Sequence, residues 1–343
     1  MSERLTPAMG EDRRMRRYRE LLDRTDGPPG SAWGEYGPDD ELGSIGRLTP
    51  DRALAGAACV RTGEVFNLDL PMDALDPPLA AARRTVRHTI FGRNAFHRDE
   101  HLDDVFPQVS SQIDGLRHFG HPDHGFYNGA SGERLVPGDP LLGVQRWAEH
   151  GIVGRGVLVD VARHRDAEGR PIDHRGGEPI PVADVVAAAE RQGSRFEPGD
   201  LLLLRLGWMD HYRTATTEAE RNALPAEPRH PGLLQSHDTL EWLWDNGFAL
   251  VAADNYALEC WPPVASSPFR TAAERAGGPT DAHTGLMHRV MIPLLGLAVG
   301  ELWALDDLAA ACARDGRYEC LVVAKPINLV GGVGTPANAT AVR

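Results

Sequence analysis

The residues best suited to chemistry lie in one short stretch that is rich in histidine. The chain has 14 histidines among 343 residues, and residues 108–128 read QVSSQIDGLRHFGHPDHGFYN. On an extended segment, residues two apart point to the same side, so Gln112 and Asp114 can converge on one point. Gly115 permits a turn that brings His118 back toward them. Two oxygens and an imidazole form a partial shell for Zn²⁺ or Mn²⁺; the alternative is a histidine-bearing surface loop.

A second candidate group follows in the stretch DAHTGLMHRVMIPLLGLAVGELWAL, residues 281–305. His288 opens an otherwise apolar run, and Glu301 follows between LAVG and LWAL. A carboxylate is rarely fully buried unless it is paired or bound to a cation, so Glu301 requires a partner. The alternative role for Glu301 is a cap at the start of the following helix.

Charge and composition exclude several classes of function. The chain carries 36 Lys+Arg against 49 Asp+Glu, a formal net charge of −13. This balance argues against nucleic acid as a partner, because binding to its backbone depends on basic charge. No apolar stretch approaches ~18 residues, and the N-terminus lacks the apolar segment of a secretory signal. We therefore expect a cytoplasmic protein without membrane contact that acts on a small molecule.

Apolar runs that alternate with helical patterns predict the architecture that positions these residues. Four short apolar runs are typical of buried strands, at 154–162, 199–208, 248–255 and 318–329. Amphipathic patterns predict helices between them, at 181–193, 237–247 and 304–316. Such alternation favours a mixed α/β fold whose strands are covered on both faces. We expect a helical N-terminal arm over residues 1–30 and one compact α/β domain over residues 31–343.

The order of several sequence blocks resembles the cyclase family of metal-dependent hydrolases, which includes bacterial kynurenine formamidase, isatin hydrolase and trans-dienelactone hydrolase. The blocks are WGEYGPDDELGSIGRLTP (33–50), SSQIDGLRHF (110–119), FYNG (126–129), HGIVGRGVLVDVAR (150–163), PGDLLLLRLGW (198–208), AADNYALE (252–259) and the segment 300–342. The resemblance implies a single domain with a mixed, barrel-like twisted β-sheet and flanking helices, the swivelling β/β/α fold of kynurenine formamidase. It also implies an oligomer, which we expect to be a homodimer or homotetramer.

The resemblance transfers to individual residues of the histidine-rich stretch. Formamidase members of the family carry HxxxHxDxPxH, in which the first two histidines and the aspartate bind metal and the last histidine handles protons. In this chain Asp114 keeps the aspartate and His118 keeps the final histidine. Gln108 and Gln112 stand where the two metal histidines would be.

The later histidine and glutamate ligands of the family resemble His288 and Glu301. Together with Asp114, and with Gln112 as a weak fourth ligand, they imply one divalent ion. A second ion is not expected, because an amide oxygen is a weaker ligand for zinc than imidazole. The oxygen-rich shell suits Mn²⁺, Zn²⁺ or Mg²⁺. The alternative is a metal-free site in which His118 and the carboxylates do acid–base work alone.

The resemblance implies metal-assisted hydrolysis of a small cyclic amide, lactone or formamide. The ion would polarise the carbonyl and activate a bound water, and His118 would take its proton and return it to the leaving group. We expect Phe119, Tyr127 and Trp208 to wall the pocket and hold a flat ring. Two alternatives stay open. One is a lyase, isomerase or cyclase of specialised metabolism that uses His118 without activating water; the other is a non-catalytic small-molecule-binding protein on the same fold.

Overall fold

A computed structural model describes residues 14–343 of the chain, which form thirteen β-strands and eleven α-helices. The strands are β1 (Val65–Asn67), β2 (Arg87–Asn94), β3 (His97–Asp103), β4 (Gln112–Asp114), β5 (Ile152–Asp160), β6 (Pro179–Ile180), β7 (Leu201–Arg205), β8 (Gly232–Leu233), β9 (Leu250–Ala253), β10 (Ala298–Glu301), β11 (Glu319–Ala324), β12 (Gly334–Pro336) and β13 (Ala339–Val342). The helices are α1 (Tyr18–Leu22), α2 (Pro50–Ala57), α3 (Gln145–His150), α4 (Val161–Ala167), α5 (Val182–Gln192), α6 (Trp208–Thr214), α7 (Glu218–Ala223), α8 (His237–Asp245), α9 (Ala272–Arg275), α10 (His288–Met291) and α11 (Asp306–Asp315).

Nine of the strands in residues 14–343 form one mixed sheet that curls into a half-barrel. Their order is β1-β13-β11-β5-β7-β9-β10-β4-β12. The central strands β5, β7, β9 and β10 are parallel neighbours, and the strands on either side of them pair antiparallel. The expected single α/β domain with a mixed, barrel-like sheet and flanking helices is confirmed.

Successive side chains of the central strands enter two hydrophobic cores on opposite faces of the sheet. On β7, Leu202 and Leu204 belong to the first core, which includes side chains of α5, α8 and α10. Leu201 and Leu203 belong to the second core, which includes side chains of α3 and α11. A strand covered on both faces needs apolar residues at every position, which explains the uninterrupted LLLL of this segment.

The N-terminal arm expected over residues 1–30 is only partly within the described residues, because residues 1–13 lie outside them. Helix α1 lies in the remainder and packs on α8 of the same chain. Its Tyr18 is buried and makes a 2.9 Å hydrogen bond to the ring of His237. Within residues 14–343, every helix is too short or too polar to cross a bilayer.

Candidate active site

Two neighbouring antiparallel strands present three polar side chains on one face of the sheet. Strand β4 pairs with β10 so that Gln112 lies opposite Glu301. Opposite residues share a face of the sheet, and so do residues two apart on one strand, so Asp114 joins them. Ile113, between the two polar residues of β4, points into the second hydrophobic core. The short sequence QID therefore buries its isoleucine on one face and aims its polar residues at the other.

Helix α10 brings His288 to the same place. Glu259 fixes the position of this histidine. The Glu259 carboxylate accepts hydrogen bonds from the backbone amides of Met287 (2.7 Å) and His288 (3.0 Å). The same carboxylate lies 2.7 Å from the ring Nδ1 of His288. The ring Nε2 then lies 3.2 Å from Glu301 Oε1 and 3.9 Å from Asp114 Oδ2. The structure thus brings together the carboxylate at 114 and the imidazole at 288, which are far apart in sequence.

Donor atoms of Asp114, His288 and Glu301 all lie within 4.8 Å of one another, and all three residues are buried. Gln112 is also buried and donates from Nε2 to Glu301 Oε2 at 2.8 Å. Within residues 14–343, both carboxylate oxygens of Asp114 and the Oε1 of Gln112 are buried without a hydrogen-bond partner. Leaving buried acceptors unsatisfied is costly, and a cation between Asp114, His288 and Glu301 would satisfy the oxygens of Asp114. The donor set therefore fits one divalent ion with an oxygen-rich shell.

The protonation of the cluster without a cation follows from the same contacts. Both ring nitrogens of His288 face carboxylates, and only a doubly protonated ring can donate to both. Burial opposes that charge, but the hydrogen bonds to Glu259 and Glu301 outweigh it and raise the pKa of His288 to about 10. Burial, together with the charge of Glu301, raises the pKa of Asp114 well above its ordinary value. Protons therefore occupy the cluster when no cation is bound.

We expect the affinity for Mn²⁺ or Zn²⁺ to rise with pH between 6 and 8, by about tenfold per pH unit for each proton released. The affinity rises with pH because the pKa of His288 lies above this range, so a cation must displace the proton from Nε2 in order to bind. Isothermal titration of the metal-free protein at several pH values, in buffers of different ionisation enthalpy, measures both the affinity and the released protons. A pH-independent affinity would contradict this prediction.

His118 lies beside this cluster, after the turn that the sequence predicts at Gly115. Its backbone amide donates to the carbonyl of Gly115 at 2.9 Å, which closes the turn. A Cβ at Gly115 would lie 2.5 Å from the carbonyl oxygen of Val333, so only glycine permits this close approach. The His118 Nε2 lies 3.6 Å from Asp114 Oδ1. Burial lowers the pKa of His118 to about 4, so the ring is neutral near pH 7 and can accept a proton.

The cluster opens onto a cavity of about 400 Å³. Phe119 lines it, with ring centroids 5.1–5.5 Å from those of His118, His283 and His288. The remaining wall includes Arg83, Tyr256, Trp261, Leu286 and Arg289. A second cavity of about 580 Å³ shares Tyr256, Trp261 and His283 with the first, so the cleft extends beyond the cluster. The volume of about 400 Å³ beside the cluster suits a ligand that contains one or two rings.

The chain matches a known family over most of its length. The family model described as putative cyclase matches residues 72–260. A solved structure described as a novel cyclase has a TM-score of 0.77 at 30% sequence identity, over 91% of this chain and 99% of that chain. This chain belongs to the cyclase family.

Other solved structures share the fold of this cyclase-family protein at lower identity. Isatin hydrolase A from Labrenzia aggregata, bound to benzyl benzoate, is 13% identical with a TM-score of 0.54, over 85% of this chain and 97% of that chain. Isatin hydrolase A from Ralstonia solanacearum is 16% identical with a TM-score of 0.54, over 86% and 98%. These likenesses extend to the fold alone. A comparison with curated proteins finds no match.

Of the three aromatic residues expected to wall the pocket of this cyclase-family protein, the structure places only Phe119 in the cleft. Tyr127 is buried in the second core, and its hydroxyl donates to Asp40 Oδ2 at 3.0 Å. Trp208 is buried in a separate apolar cluster, where its ring packs on Tyr212 at 5.4 Å. Neither residue lines the cleft beside the donor cluster, and Trp208 instead lines a separate cavity of about 220 Å³.

Three further polar residues of the histidine-rich stretch lie outside the cleft lining in the described chain. His121 and His124 stack on each other at 4.6 Å. Gln108, which the resemblance aligns with a metal-binding histidine, is half-buried. Its backbone carbonyl accepts a 2.7 Å hydrogen bond from the Arg83 guanidinium. The donor cluster of this cyclase-family protein is therefore built around Asp114 rather than from the histidine-rich stretch as a whole.

Sequence reasoning missed Glu259, although the block AADNYALE that carries it was identified. This loop follows β9 and supplies Tyr256 to the cleft as well as Glu259 to His288. Ala257 and Leu258 adopt φ values of 65° and 59°, a strained conformation for residues with side chains, as is common beside functional groups. Glu259 stands among apolar sequence neighbours in ALECW and is fully buried, so the argument applied to Glu301 would have found it.

Proposed function

We propose that this cyclase-family protein is a metal-dependent hydrolase that cleaves the carbonyl–nitrogen or carbonyl–oxygen bond of a small cyclic amide, lactone or formamide. The observation that carries the proposal is the buried donor set of Asp114, His288 and Glu301, with unsatisfied oxygens beside an open cleft. Perturbed titratable groups gathered at a cavity are typical of a catalytic site.

Four residues would hold the ion, namely Gln112, Asp114, His288 and Glu301. A bound divalent cation polarises a carbonyl oxygen and makes water more acidic. Glu259 accepts the Nδ1 proton of His288, so that Nε2, once a cation has displaced its proton, would offer its lone pair between Glu301 and Asp114. Carboxylates that hold a ligating imidazole in this way set its tautomer and orientation.

His118 is the group of this chain that would move the proton. Its ring is neutral near pH 7 because burial lowers its pKa, and it lies beside Asp114 without a strong hydrogen bond to it. A neutral imidazole in this position can accept a proton from the attacking water and deliver it to the leaving nitrogen or oxygen.

Aromatic side chains favour a flat substrate. Phe119, Tyr256 and Trp261 line the cleft, and aromatic rings of this kind can pack against a planar ligand. The isatin hydrolase from Labrenzia aggregata is described with benzyl benzoate, an aromatic ester, and such a molecule is of the kind that these walls would accommodate. This supports an aryl-fused lactam or lactone, or an aryl formamide, as the substrate class.

Turnover in H₂¹⁸O tests the proposal. Aryl lactams, lactones and formamides are incubated with protein that has been stripped by a chelator and with the same protein reloaded with Mn²⁺ or Zn²⁺. We expect no turnover after chelation, recovery on reloading, and one solvent oxygen in each product molecule. Turnover without solvent oxygen would instead assign a lyase, isomerase or cyclase, and tight binding without turnover would assign a binding protein.

A further inference from the structure

Two arginines, Arg83 and Arg289, line the cavity beside the donor cluster, and their charges are balanced differently. The guanidinium of Arg289 pairs with Glu274 at 2.7 Å and with Asp281 at 3.0 Å. Within residues 14–343, no carboxylate lies at ion-pair distance from the guanidinium of Arg83. Arg83 is therefore the arginine of this cavity whose charge the described residues leave unbalanced.

Neutral groups orient the guanidinium of Arg83. Its Nη1 donates to the backbone carbonyl of Gln108 at 2.7 Å and to the hydroxyl of Tyr256 at 3.4 Å. The guanidinium carbon also lies 5.9 Å from the centroid of the Tyr256 ring, which is a cation–π distance. These contacts fix the group without neutralising it. In the described part of the chain, the hydrogen bonds of Arg83 use only Nη1, and its Nε and Nη2 form a pair of donors that matches the two oxygens of a carboxylate.

The other ionisable groups of the cavity do not change this charge balance. His118 and His283 are neutral near pH 7, because burial lowers the pKa of both rings. A divalent cation balances the two carboxylates of the donor set, Asp114 and Glu301. An acidic chain with a net charge of −13 does not attract anions in general, so an uncompensated cation in its cleft indicates a ligand with a negative charge.

Arg83 and the donor cluster are separate contact points for one ligand. Asp114 and Glu301 both lie beyond ion-pair distance from the Arg83 guanidinium, although all three residues belong to the same site. The carboxylate or formate that hydrolysis creates comes from the carbonyl at the cluster, so that product group does not require Arg83. A second polar group of the ligand, away from the reacting carbonyl, would meet the guanidinium.

Building on the hydrolase function proposed above, we propose that Arg83 binds, in a bidentate contact, a carboxylate that the substrate already carries. The substrate class is then an aryl lactam, lactone or formamide with an acidic substituent. A bidentate contact fixes orientation as well as position, so it would select which carbonyl of the substrate meets the donor cluster. Arg83 is thus a specificity-determining residue and not a ligand of the ion.

Binding of benzoate and benzamide to the chelator-treated full chain tests this contact without turnover. The two molecules have nearly the same shape, and only benzoate is an anion near pH 7. By ligand-observed NMR titration, we expect benzoate to bind about tenfold more tightly or better, because a charge-assisted pair is stronger than a neutral contact. Arg83→Met should abolish this preference. The matched control Arg84→Met should keep it, since Arg84 pairs with Asp104 outside the cleft lining.

Equal binding of benzoate and benzamide by wild type would overturn the proposal. So would a preference that persists in Arg83→Met, as expected if the carboxylate bound instead to Arg270, which lines the second cavity. Should Arg83→Met fail to fold, Arg83→Lys carries the test, because lysine keeps the charge but lacks the planar pair of donors. A reduced preference in Arg83→Lys would support the bidentate contact, and an unchanged preference would overturn it.

Kinetics of the metal-loaded protein provide a second readout. The substrates are a matched pair of aryl lactams, one with a ring carboxylate and the other with a carboxamide at the same position. We expect Arg83→Met to raise KM for the acid by about tenfold or more and to leave kcat and KM for the carboxamide near wild type. An equal fall in kcat on both substrates would assign Arg83 to the reacting oxygen and overturn the proposal. The binding test needs no turnover, so failure of the proposed hydrolysis would leave its outcome unaffected.

Discussion

Asp114→Asn is expected to lose the bound metal and to lower kcat/KM by about 10³-fold or more, because the metal contributes several kcal/mol to the reaction. The two oxygens of Asp114 are buried acceptors without a partner within residues 14–343, and an amide replaces one of them by a donor. Elemental analysis of the purified protein and kinetics on the best substrate found by ¹⁸O turnover measure both effects.

Misfolding is not expected to explain that loss. Burial and the charge of Glu301 raise the pKa of Asp114, so the metal-free fold already favours its neutral form, and a neutral amide of the same shape should leave thermal unfolding unchanged. Asp123→Asn, an exposed carboxylate outside the cluster, should keep full metal and activity. Glu259→Gln should weaken metal binding by about 10–100-fold, because the native Glu259 carboxylate orients His288 without ligating the ion. Stoichiometric metal in Asp114→Asn would refute the proposed donor set.

His118→Gln is expected to lower kcat by about 10²–10⁴-fold while KM and metal content stay near those of wild type. The glutamine preserves polarity and approximate size but cannot shuttle a proton near pH 7. Steady-state kinetics measure kcat and KM, and elemental analysis measures the bound metal. Loss of metal in this variant would make His118 a ligand, and an unchanged kcat would remove it from the reaction.

His124→Gln is the matched control for this substitution. His124 lies in the same histidine-rich stretch but stacks on His121 outside the cleft lining, so its replacement should leave kcat unchanged. Addition of imidazole to His118→Gln should partly restore kcat if the defect is the missing proton acceptor. A purely structural defect would not respond to imidazole.

The elements of the fold are largely encoded in local sequence. Helices predicted at 181–193 and 304–316 are observed at Val182–Gln192 and Asp306–Asp315. Each is followed by a glycine in the left-handed conformation, with φ of 71° at Gly193 and 73° at Gly316. Amphipathic periodicity and the conformational freedom of glycine act over a few neighbouring residues, so they can be predicted without knowledge of the rest of the chain.

The candidate ligands were also identified from sequence. Strand alternation placed Asp114 beside Gln112, an unpaired carboxylate in an apolar run indicated Glu301, and the family resemblance added His288, but none of these could show that the three residues meet. These residues meet because β4 pairs with β10 and because Glu259 hydrogen-bonds to His288 on α10. Both contacts join residues that are distant in sequence.

The sequence by itself determined the fold class, the family and the candidate residues for binding a cation or moving a proton. Only the tertiary structure decided which aromatic residues face the cleft and that Arg83 lines it. Tyr127 and Phe119 both follow the same polar strand, yet one is covered by core side chains and the other lines the cavity. Which neighbours cover a side chain is set by contacts between distant segments, and local sequence does not encode those contacts.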